Sequence, residues 1–212
     1  MDASASDTIF GSDKITYLER SFERLDCSSK IIQNKIFENC NFRNCNFDNA
    51  SLLNCKFADS EFINCTLNTM IPTNAVFSNV IFDHSKLMGV RWPTAKWPQI
   101  KLFSLIHFYS CNISHSSFFG LNLSEINIQE CKVHDVDFRE ADLSRGNLAN
   151  SDFHQSLFIH TNLAAADFSE AINYNIDIRL NDVKKAIFTF PDAVNLLQHF
   201  EIQINGLPGD NT

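Results

Sequence analysis

Three histidines form the group of residues whose types and spacing could support chemistry in this chain. His134 and His154 lie twenty residues apart, His115 precedes them, and Asp135 and Asp152 flank the pair. Imidazoles beside carboxylates can bind a transition metal or hold a catalytic water. A solvated polar surface is the alternative interpretation, and we favour it because a catalytic site also needs a cleft that excludes water. We therefore predict no catalytic, cofactor-binding or metal site.

Other motifs that carry chemistry are absent from the sequence. There is no HExxH, GxSxG or Walker motif, and six glycines are too few for most phosphate-binding loops. The seven cysteines contain no CxxC pair, which argues against zinc. Six of them recur at one position of a five-residue register and are predicted to be small buried side chains: Cys40, Cys45, Cys55, Cys65, Cys111 and Cys131. We therefore predict that the protein is not an enzyme.

The stretch from Phe108 to Phe168 follows a period of five. Neither an α-helix, with 3.6 residues per turn, nor a strand, with a period of two, can place every fifth residue on one face. A coil that turns a corner every five residues can do so, and it buries this central residue and the residue two positions before it. The central residues are all apolar: Phe108, Ile113, Phe118, Leu123, Ile128, Val133, Phe138, Leu143, Leu148, Phe153, Phe158, Leu163 and Phe168.

Residues twenty apart also match in type. Phe118, Phe138 and Phe158 form one such set. Four sides of five residues make a square turn of twenty, so matching residues should stack as ladders inside an all-β solenoid. Its turns would pair as parallel strands about 4.8 Å apart. The same register extends toward the N-terminus, loosely from Phe22 and then cleanly from Phe37.

Two of the five-residue units carry a family resemblance. Ala141-Asp142-Leu143-Ser144-Arg145 and Ala166-Asp167-Phe168-Ser169-Glu170 resemble the A(D/N)LXX units of pentapeptide repeat proteins. The resemblance implies that family's fold, a right-handed quadrilateral parallel β-helix. Counting units gives about seven to eight turns, closed by a C-terminal capping helix, which is also the dimerisation helix that the second resemblance described below implies.

The register divides the chain into segments. Residues 1–16 are predicted to be a polar N-terminal arm, and the β-helix is predicted to span residues 17–172. Residues 173–204 are predicted to be a C-terminal cap with a helix at about 191–199. Residues 205–212 are predicted to be a disordered tail.

Two halves of the predicted β-helix join at an irregular segment near residues 88–107. Trp92, Trp97 and Leu102 keep the register, but the next clean centre comes six residues later instead of five. One extra residue must therefore be absorbed near residues 104–105 as a bulge or bent turn. The tryptophans either fill an irregular interior or form a surface contact.

The C-terminal segment carries a second resemblance. Asn173-Tyr174-Asn175-Ile176-Asp177, Lys184-Lys185-Ala186-Ile187-Phe188, Pro191-Asp192-Ala193 and Leu196-Leu197 are similar to the ending of Qnr-type quinolone-resistance proteins. In that group the tail builds a dimer, and the acidic rod is thought to mimic duplex DNA and bind type II topoisomerase. The resemblance implies a homodimer through Phe190, Leu196, Leu197 and Phe200. It also implies a non-catalytic DNA mimic that binds DNA gyrase or topoisomerase IV and protects it from quinolone-type poisons.

The distribution of charge is compatible with such a mimic. The net charge is −8, which argues against direct binding of nucleic acid. Residues 103–172 hold nine acids and three bases, whereas residues 18–102 hold eight acids and ten bases. Acids that merely keep a rod soluble are the alternative. The predicted acidic partner-binding face consists of Glu125, Glu130, Asp135, Asp137, Glu140, Asp142 and Asp152.

A second predicted surface is apolar. Phe119, Leu157 and Ile159 occupy outward positions on one predicted face, which indicates a contact surface or a region covered by a terminal segment. The alternative function is therefore a pentapeptide-repeat scaffold that binds a protein partner other than a topoisomerase. No apolar run is long enough to span a membrane, and the N-terminus does not have the pattern of a signal peptide. We expect a cytoplasmic protein.

Overall fold

The computed structural model describes residue 10, residues 15–98, residues 106–200 and residue 202. Its strands are short and lie one above the other in a parallel coil. They are β1 (Thr16–Leu18), β2 (Ser21–Glu23), β3 (Ile31–Gln33), β4 (Ile36–Glu38), β5 (Asn41–Arg43), β6 (Ser51–Leu53), β7 (Lys56–Ile63), β8 (Val76–Asp83), β9 (Ile106–Tyr109), β10 (Ile128–Gln129), β11 (Asp167–Phe168) and β12 (Ile187–Phe188).

The strand register confirms the square turn of twenty residues. Phe37 pairs with Phe57 and Phe57 with Phe77, and every pairing between strands is parallel among the described residues. Isolated bridges such as Asn122 to Asp142 continue the same offset where no full strand forms. The molecule is thus the predicted parallel β-helix of about eight turns.

The interior is built from the two inward positions of each five-residue unit. All thirteen central residues between Phe108 and Phe168 are buried. On one side the ring centroids of Phe42, Phe62 and Phe82 stack at 4.5 and 5.1 Å, because the strand spacing brings equivalent side chains face to face. Aromatic ladders of this kind follow directly from residues that match at intervals of twenty.

The second inward position holds small side chains, several of which donate hydrogen bonds to backbone carbonyl groups. The Cys65 thiol donates to the Phe42 carbonyl at 3.3 Å, and the Ser151 hydroxyl donates to the Ile128 carbonyl at 2.8 Å. All seven cysteines are buried and free. Burial raises the pKa of Cys55 to about 11, so this thiol stays protonated and packs as a small hydrophobe. The prediction of buried cysteines is confirmed.

The coil begins earlier than the register of the sequence indicates. Tyr17 occupies a central position one unit before Phe22, and its ring stacks on Phe37 with centroids 5.2 Å apart. Strand β1 starts at Thr16, inside the segment predicted to be an arm. Phe10 packs against Tyr17, Phe22 and Phe37, so its ring closes the open N-terminal end of the interior.

The predicted join between two halves is an insertion of six residues, not one. Phe82 pairs with Phe108, twenty-six positions later, where twenty is the rule. The prediction was wrong because it kept Leu102 in the register, whereas Phe108 takes that place. Leu102, Ser104 and Leu105 lie outside the described residues.

The two tryptophans before this insertion belong to the interior. Trp92 lies in a short 3₁₀ helix, Trp92–Thr94, and is fully buried. Its ring stacks on Phe118 with centroids 5.9 Å apart. The Trp97 indole donates to the Trp92 carbonyl at 2.8 Å. Trp92 therefore fills the core, and the alternative of a surface contact is wrong for this residue.

The coil also continues beyond its predicted end at residue 172. Asn162 bridges to Asp182, and β11 pairs with β12, so part of the predicted cap is a further turn. At one corner the offset shortens, because Phe158 bridges to Ile176. Because this corner is irregular, the five-residue period of the sequence does not reveal the last turn.

The final helix differs in type from a regular α-helix. It is a 3₁₀ helix, Asp192–Phe200, in which Leu196 packs against the core. With nine residues it is the longest helix among the described residues, and a membrane span needs about 20. Residue 201 and residues 203–212, which include the predicted disordered tail, lie outside the described part of the chain.

Candidate partner-binding surfaces

The coil presents four faces, which we number in chain order. Each face is identified by the central residues behind it. Face 1 includes Phe37, Phe57, Leu123 and Leu143; face 2 includes Phe42, Phe62, Phe108 and Ile128; face 3 includes Phe47, Leu67, Val133 and Phe153; face 4 includes Ile32, Leu52, Phe118 and Phe138. The residue two positions after each central residue forms the corner to the next face.

Corner residues adopt the left-handed backbone conformation. Their φ angles range from +47° to +70°, a region that glycine, asparagine and aspartate tolerate better than other residues. In the N-terminal part of the coil eight corners are asparagine: Asn34, Asn39, Asn44, Asn49, Asn54, Asn64, Asn74 and Asn79. The corner position is thus filled there by a residue that suits its backbone.

The corners of the C-terminal part are mostly other residues, and one turn carries an acid at all four of its corners. Glu125, Glu130, Asp135 and Glu140 are exposed, have φ angles of 64°, 55°, 55° and 60°, and belong to four successive corners. We call these four residues the acidic ring. The predicted single acidic face is therefore wrong for these residues, because a spacing of five places them around the rod and not along one side.

The remaining predicted acids lie on different faces. Asp142 is on face 1, Asp152 on face 3 and Asp137 on face 4, which again contradicts a common acidic face. Asp137 forms a bidentate ion pair with Arg139, at 2.9 Å for both contacts. The Arg139 guanidinium lowers the pKa of Asp137. This carboxylate is thus already neutralised by its own chain.

Neighbouring turns contact three members of the acidic ring. Glu125 pairs with Arg145 at 2.9 Å, and the hydroxyl of Ser110 donates to Glu130 at 3.0 Å. Asp135 lies 3.6 Å from a nitrogen of His115. These side chains are exposed, so such contacts contribute little to stability and leave the carboxylates available to a partner.

His115 lies at a corner of the coil, whereas the other two histidines lie on a face. His134 and His154 lie on face 3 with ring centroids 5.4 Å apart, and His134 Nε2 lies 2.7 Å from Asp152 Oδ2. Burial would raise the pKa of Asp152, but hydrogen bonds from Asn173 and His134 outweigh it and lower this pKa. Across the described ranges no three His, Cys, Asp or Glu side chains are gathered around a possible metal position.

The predicted apolar patch lies together on face 4. Phe119, Leu157 and Ile159 are exposed, and the Arg139 guanidinium lies 5.8 Å from the centre of the Phe119 ring. Leu157 and Ile159 also line a surface cavity of about 280 Å³ with Leu180. The structure therefore brings the three predicted residues to one side of the rod, next to a concave surface.

A further apolar surface lies at the C-terminal end. Phe190 is 69% exposed, Leu197 38% and Phe200 40%, whereas Leu196 faces the core. A side chain of the final helix holds it to the coil, because Gln198 Nε2 donates to Asn175 Oδ1 at 2.8 Å. The helix and Phe190 just before it therefore present three exposed apolar side chains that can be buried against another molecule.

The four ring residues are predicted from the sequence as partner-binding acids, but their arrangement around the rod is not. The signal was present, because acids recur at every fifth position from Glu125 to Glu140. The prediction did not take into account whether these acids occupy the corners or the faces of the coil. Their position at the corners follows from the central residues, which lie two positions before each acid.

Comparisons with known proteins identify the repeat. Residues 90–168 match the family model described as pentapeptide repeat region, and residues 36–69 match the model described as pentapeptide repeats. Together the two matches cover more than half of the chain. We found no significant sequence match among curated proteins.

Solved structures of QnrB1, a plasmid-mediated fluoroquinolone resistance protein, are similar in fold. One trypsin-treated form has 17% identity and a TM-score of 0.65, over 90% of this chain and 98% of that chain. A second trypsin-treated form has 17% identity and a TM-score of 0.58, over 87% of this chain and 99% of that chain. The full-length form has 15% identity and a TM-score of 0.50, over 88% of this chain and 100% of that chain. At these identities the similarity establishes the fold alone.

Proposed function

This chain belongs to the pentapeptide repeat proteins, and from that premise we propose that it is a non-catalytic mimic of duplex DNA. It binds a type II topoisomerase, DNA gyrase or topoisomerase IV, in the cytoplasm. By occupying the enzyme's DNA-binding surface it protects the enzyme from quinolone-type poisons.

The acidic ring is the observation that carries this proposal. Duplex DNA presents negative charge around its whole circumference, and a DNA-binding saddle presents the opposite charge over a curved surface. Four exposed carboxylates at the corners of one turn distribute charge around the rod in a comparable way. Residues 103–172, with nine acids against three bases, make this half of the rod the negative one.

The choice of residues at the ring supports a functional role. Every corner of the coil needs a positive φ, and glutamate is disfavoured there. The corners of the next turn are Arg145, Asn150, Gln155 and His160, none of them acidic. Four successive acidic corners are thus confined to one turn among the described residues, which supports a role for their charge.

The fold similarity to QnrB1 gives independent support. That protein is a fluoroquinolone resistance protein, and its full length is matched by this chain. Protection of a quinolone target is compatible with such a role, so we extend a part in fluoroquinolone resistance to this chain as part of the proposal.

Dimerisation completes the proposed mimic. Phe190, Leu197 and Phe200 form the contact between two copies, with Leu196 supporting the helix from beneath. Two rods joined at their C-terminal ends place both acidic halves beside the twofold axis. The dimer then carries a continuous negative centre with more neutral arms, which fits a basic saddle between two enzyme subunits.

DNA supercoiling by gyrase in the presence of a fluoroquinolone tests the proposal. Added protein should restore supercoiling, and the variant Glu125→Asn, Glu130→Asn, Asp135→Asn and Glu140→Asn should lose at least tenfold in potency. The matched control removes four acids from the other half: Glu19→Asn, Glu23→Asn, Asp59→Asn and Glu61→Asn. Equal potency of the two variants would reject the acidic ring as the binding element. Absence of any rescue by the wild-type protein would reject the topoisomerase target.

The exposed patch on face 4 favours a second candidate function. A scaffold that binds a different protein through Phe119, Leu157 and Ile159 needs no acidic ring. In that case the ring variant would behave as the wild-type protein in every binding assay, whereas serine substitutions in the patch would abolish partner binding.

A further inference from the structure

The exposed apolar side chains in the middle of the coil lie on one side, whereas Leu18 and Ile172, nearer its ends, lie on faces 1 and 3. Between residues 20 and 170, all five large hydrophobic residues that are exposed among those described lie on face 4. They are Ile31, Ile71, Phe119, Leu157 and Ile159. Single exposed hydrophobics are common on proteins, but these five residues belong to four separate units, and four units share a single face of four with a probability of roughly one in 60. This face is therefore distinct from the other three.

The apolar residues occupy every second turn of face 4. Ile31 pairs with Ser51 and Ser51 with Ile71, while Ser117 pairs with Asp137 and Asp137 with Leu157. Phe119 lies on the same turn as Ser117. With turns about 4.8 Å apart, the apolar positions recur at intervals of about 10 Å over a length of about 29 Å.

Charged side chains lie on two of the three turns between the apolar positions, whereas the turn between Ile31 and Ile71 carries Ser51 and Leu53. Arg91 lies on the turn between Ile71 and Phe119, is exposed, and has no ion pair within the described ranges. Asp137 and Arg139 lie on the turn between Phe119 and Leu157 and neutralise each other. In a chain with a net charge of −8, the middle of face 4 thus presents a cation that has no ion-pair partner among the described residues.

Two cavities accompany this pattern. One, of about 300 Å³, is lined by Ile71, Pro72, Arg91 and Thr94, and the other is the cavity of about 280 Å³ beside Leu157 and Ile159. The first lies near the middle of the apolar series and the second at its C-terminal end, and each could receive a large side chain. Concave apolar sites of this kind accept anchor residues of a partner.

We propose that face 4 binds an amphipathic α-helix of a partner protein, with apolar residues seven apart and a carboxylate opposite Arg91. Seven helical residues span about 10.5 Å, close to the spacing on face 4. Alternate residues of an extended strand recur at about 6.7 Å and do not match it. About twenty helical residues would cover the 29 Å from Ile31 to Leu157.

A second copy of the chain fits this face less well than a helix. The face is about 10 Å wide over a length of about 29 Å, so it offers roughly 300 Å² to a flat partner, whereas stable interfaces bury about 800 Å² on each side. A weak, transient complex with a helical segment is compatible with such an area. The inference is independent of whether the acidic ring binds a topoisomerase.

The test uses a designed peptide as the probe and the full-length protein as the receptor. The peptide has 21 residues, leucines in a heptad pattern and a glutamate placed opposite Arg91; a second peptide has lysine in place of that glutamate. Fluorescence anisotropy should show micromolar binding of the first peptide. Ile71→Ser with Phe119→Ser should weaken it at least tenfold, whereas Ile63→Ser with Ile81→Ser on face 2 should leave it unchanged.

Reversing the charge at Arg91 distinguishes specific binding of the peptide from nonspecific hydrophobic binding. The variant Arg91→Glu should bind the glutamate peptide at least tenfold more weakly and the lysine peptide more tightly. Equal affinity of the wild-type protein for both peptides, or no binding, overturns the proposal.

A photo-crosslinking amino acid in place of Phe119 identifies what covers the face. Cross-links to the peptide support the proposal. Cross-links to the protein's own terminal segments or to a second copy overturn it.

Discussion

The corner residue is the position at which sequence, backbone strain and proposed function meet. Each corner needs a positive φ, and the chain supplies asparagine there in one half and acids in one turn of the other half. Asparagine tolerates this conformation because its short polar side chain bonds locally, whereas glutamate gains no such compensation. The acidic ring is therefore expected to reduce stability relative to an asparagine-cornered turn.

Replacing the ring glutamates should stabilise the protein. We expect Glu125→Asn, Glu130→Asn and Glu140→Asn together to raise the free energy of unfolding by about 1–3 kcal/mol. For a chain of this size that corresponds to a melting temperature higher by several degrees, at roughly 2–4 °C per kcal/mol. The lost contacts to Arg145 and Ser110 are exposed and offset little of this gain.

Thermal unfolding followed by circular dichroism measures the effect. The control is Glu61→Asn, which makes the same chemical change at a strand position outside the corners. An unchanged or lower melting temperature for the triple variant would show that the corner backbone does not disfavour glutamate.

At the scale of the elements, stability rests on ladders that cross turns. A single turn buries little on its own, but stacking brings each central residue against its counterparts above and below. Phe62 is fully buried between Phe42 and Phe82, with centroids at 4.5 and 5.1 Å. Removing one ring therefore weakens two neighbouring turns at once.

Truncation of this ladder should be costly. Phe62→Ala is expected to destabilise the protein by about 3–5 kcal/mol, because the vacated volume cannot collapse between rigid parallel strands. Phe62→Leu should cost less than about 1.5 kcal/mol, since the volume is nearly kept. Chemical denaturation monitors both, with Phe119→Ala as the exposed control at about 0.5 kcal/mol or less. Similar losses for Phe62→Ala and Phe119→Ala would contradict a ladder-based core.

At the scale of the whole molecule, the two ends of the rod are treated differently. The N-terminal end is closed by a ring of the chain itself, because Phe10 packs on the first turn. The C-terminal end is covered by a helix that leaves Phe190, Leu197 and Phe200 exposed. An open solenoid end exposes strand edges, so an incompletely covered end is the natural place for a second copy to bind.

Dimerisation through the C-terminal end can be separated from folding. Phe190→Ser with Leu197→Ser should convert a dimer to a monomer in analytical ultracentrifugation. The far-ultraviolet circular dichroism spectrum of the variant should match that of the wild-type protein. Its melting temperature should lie within a few degrees of that of the wild-type protein at a dilution at which the wild-type protein is a monomer. Ile31→Ser, which removes an exposed residue near the other end, is the matched control. A wild-type protein that sediments as a monomer would reject the proposed interface.

The sequence alone determined the parts of the structure that repeat locally. The period of five placed all thirteen central residues from Phe108 to Phe168 in the interior, and the period of twenty gave the ladders. These features are readable because each unit repeats one backbone conformation, so side-chain type and orientation are coupled within five residues.

Only the tertiary structure decided where that repetition is interrupted and which units of its two halves share a face. The insertion before Phe108 and the last turn up to β12 are defined by pairing between distant residues, which no local period records. The six-residue insertion places Ile31 and Ile71 on the same side of the rod as Phe119 and Leu157. That is a property of the closed square turn, because only stacking of turns twenty residues apart fixes which unit lies above which.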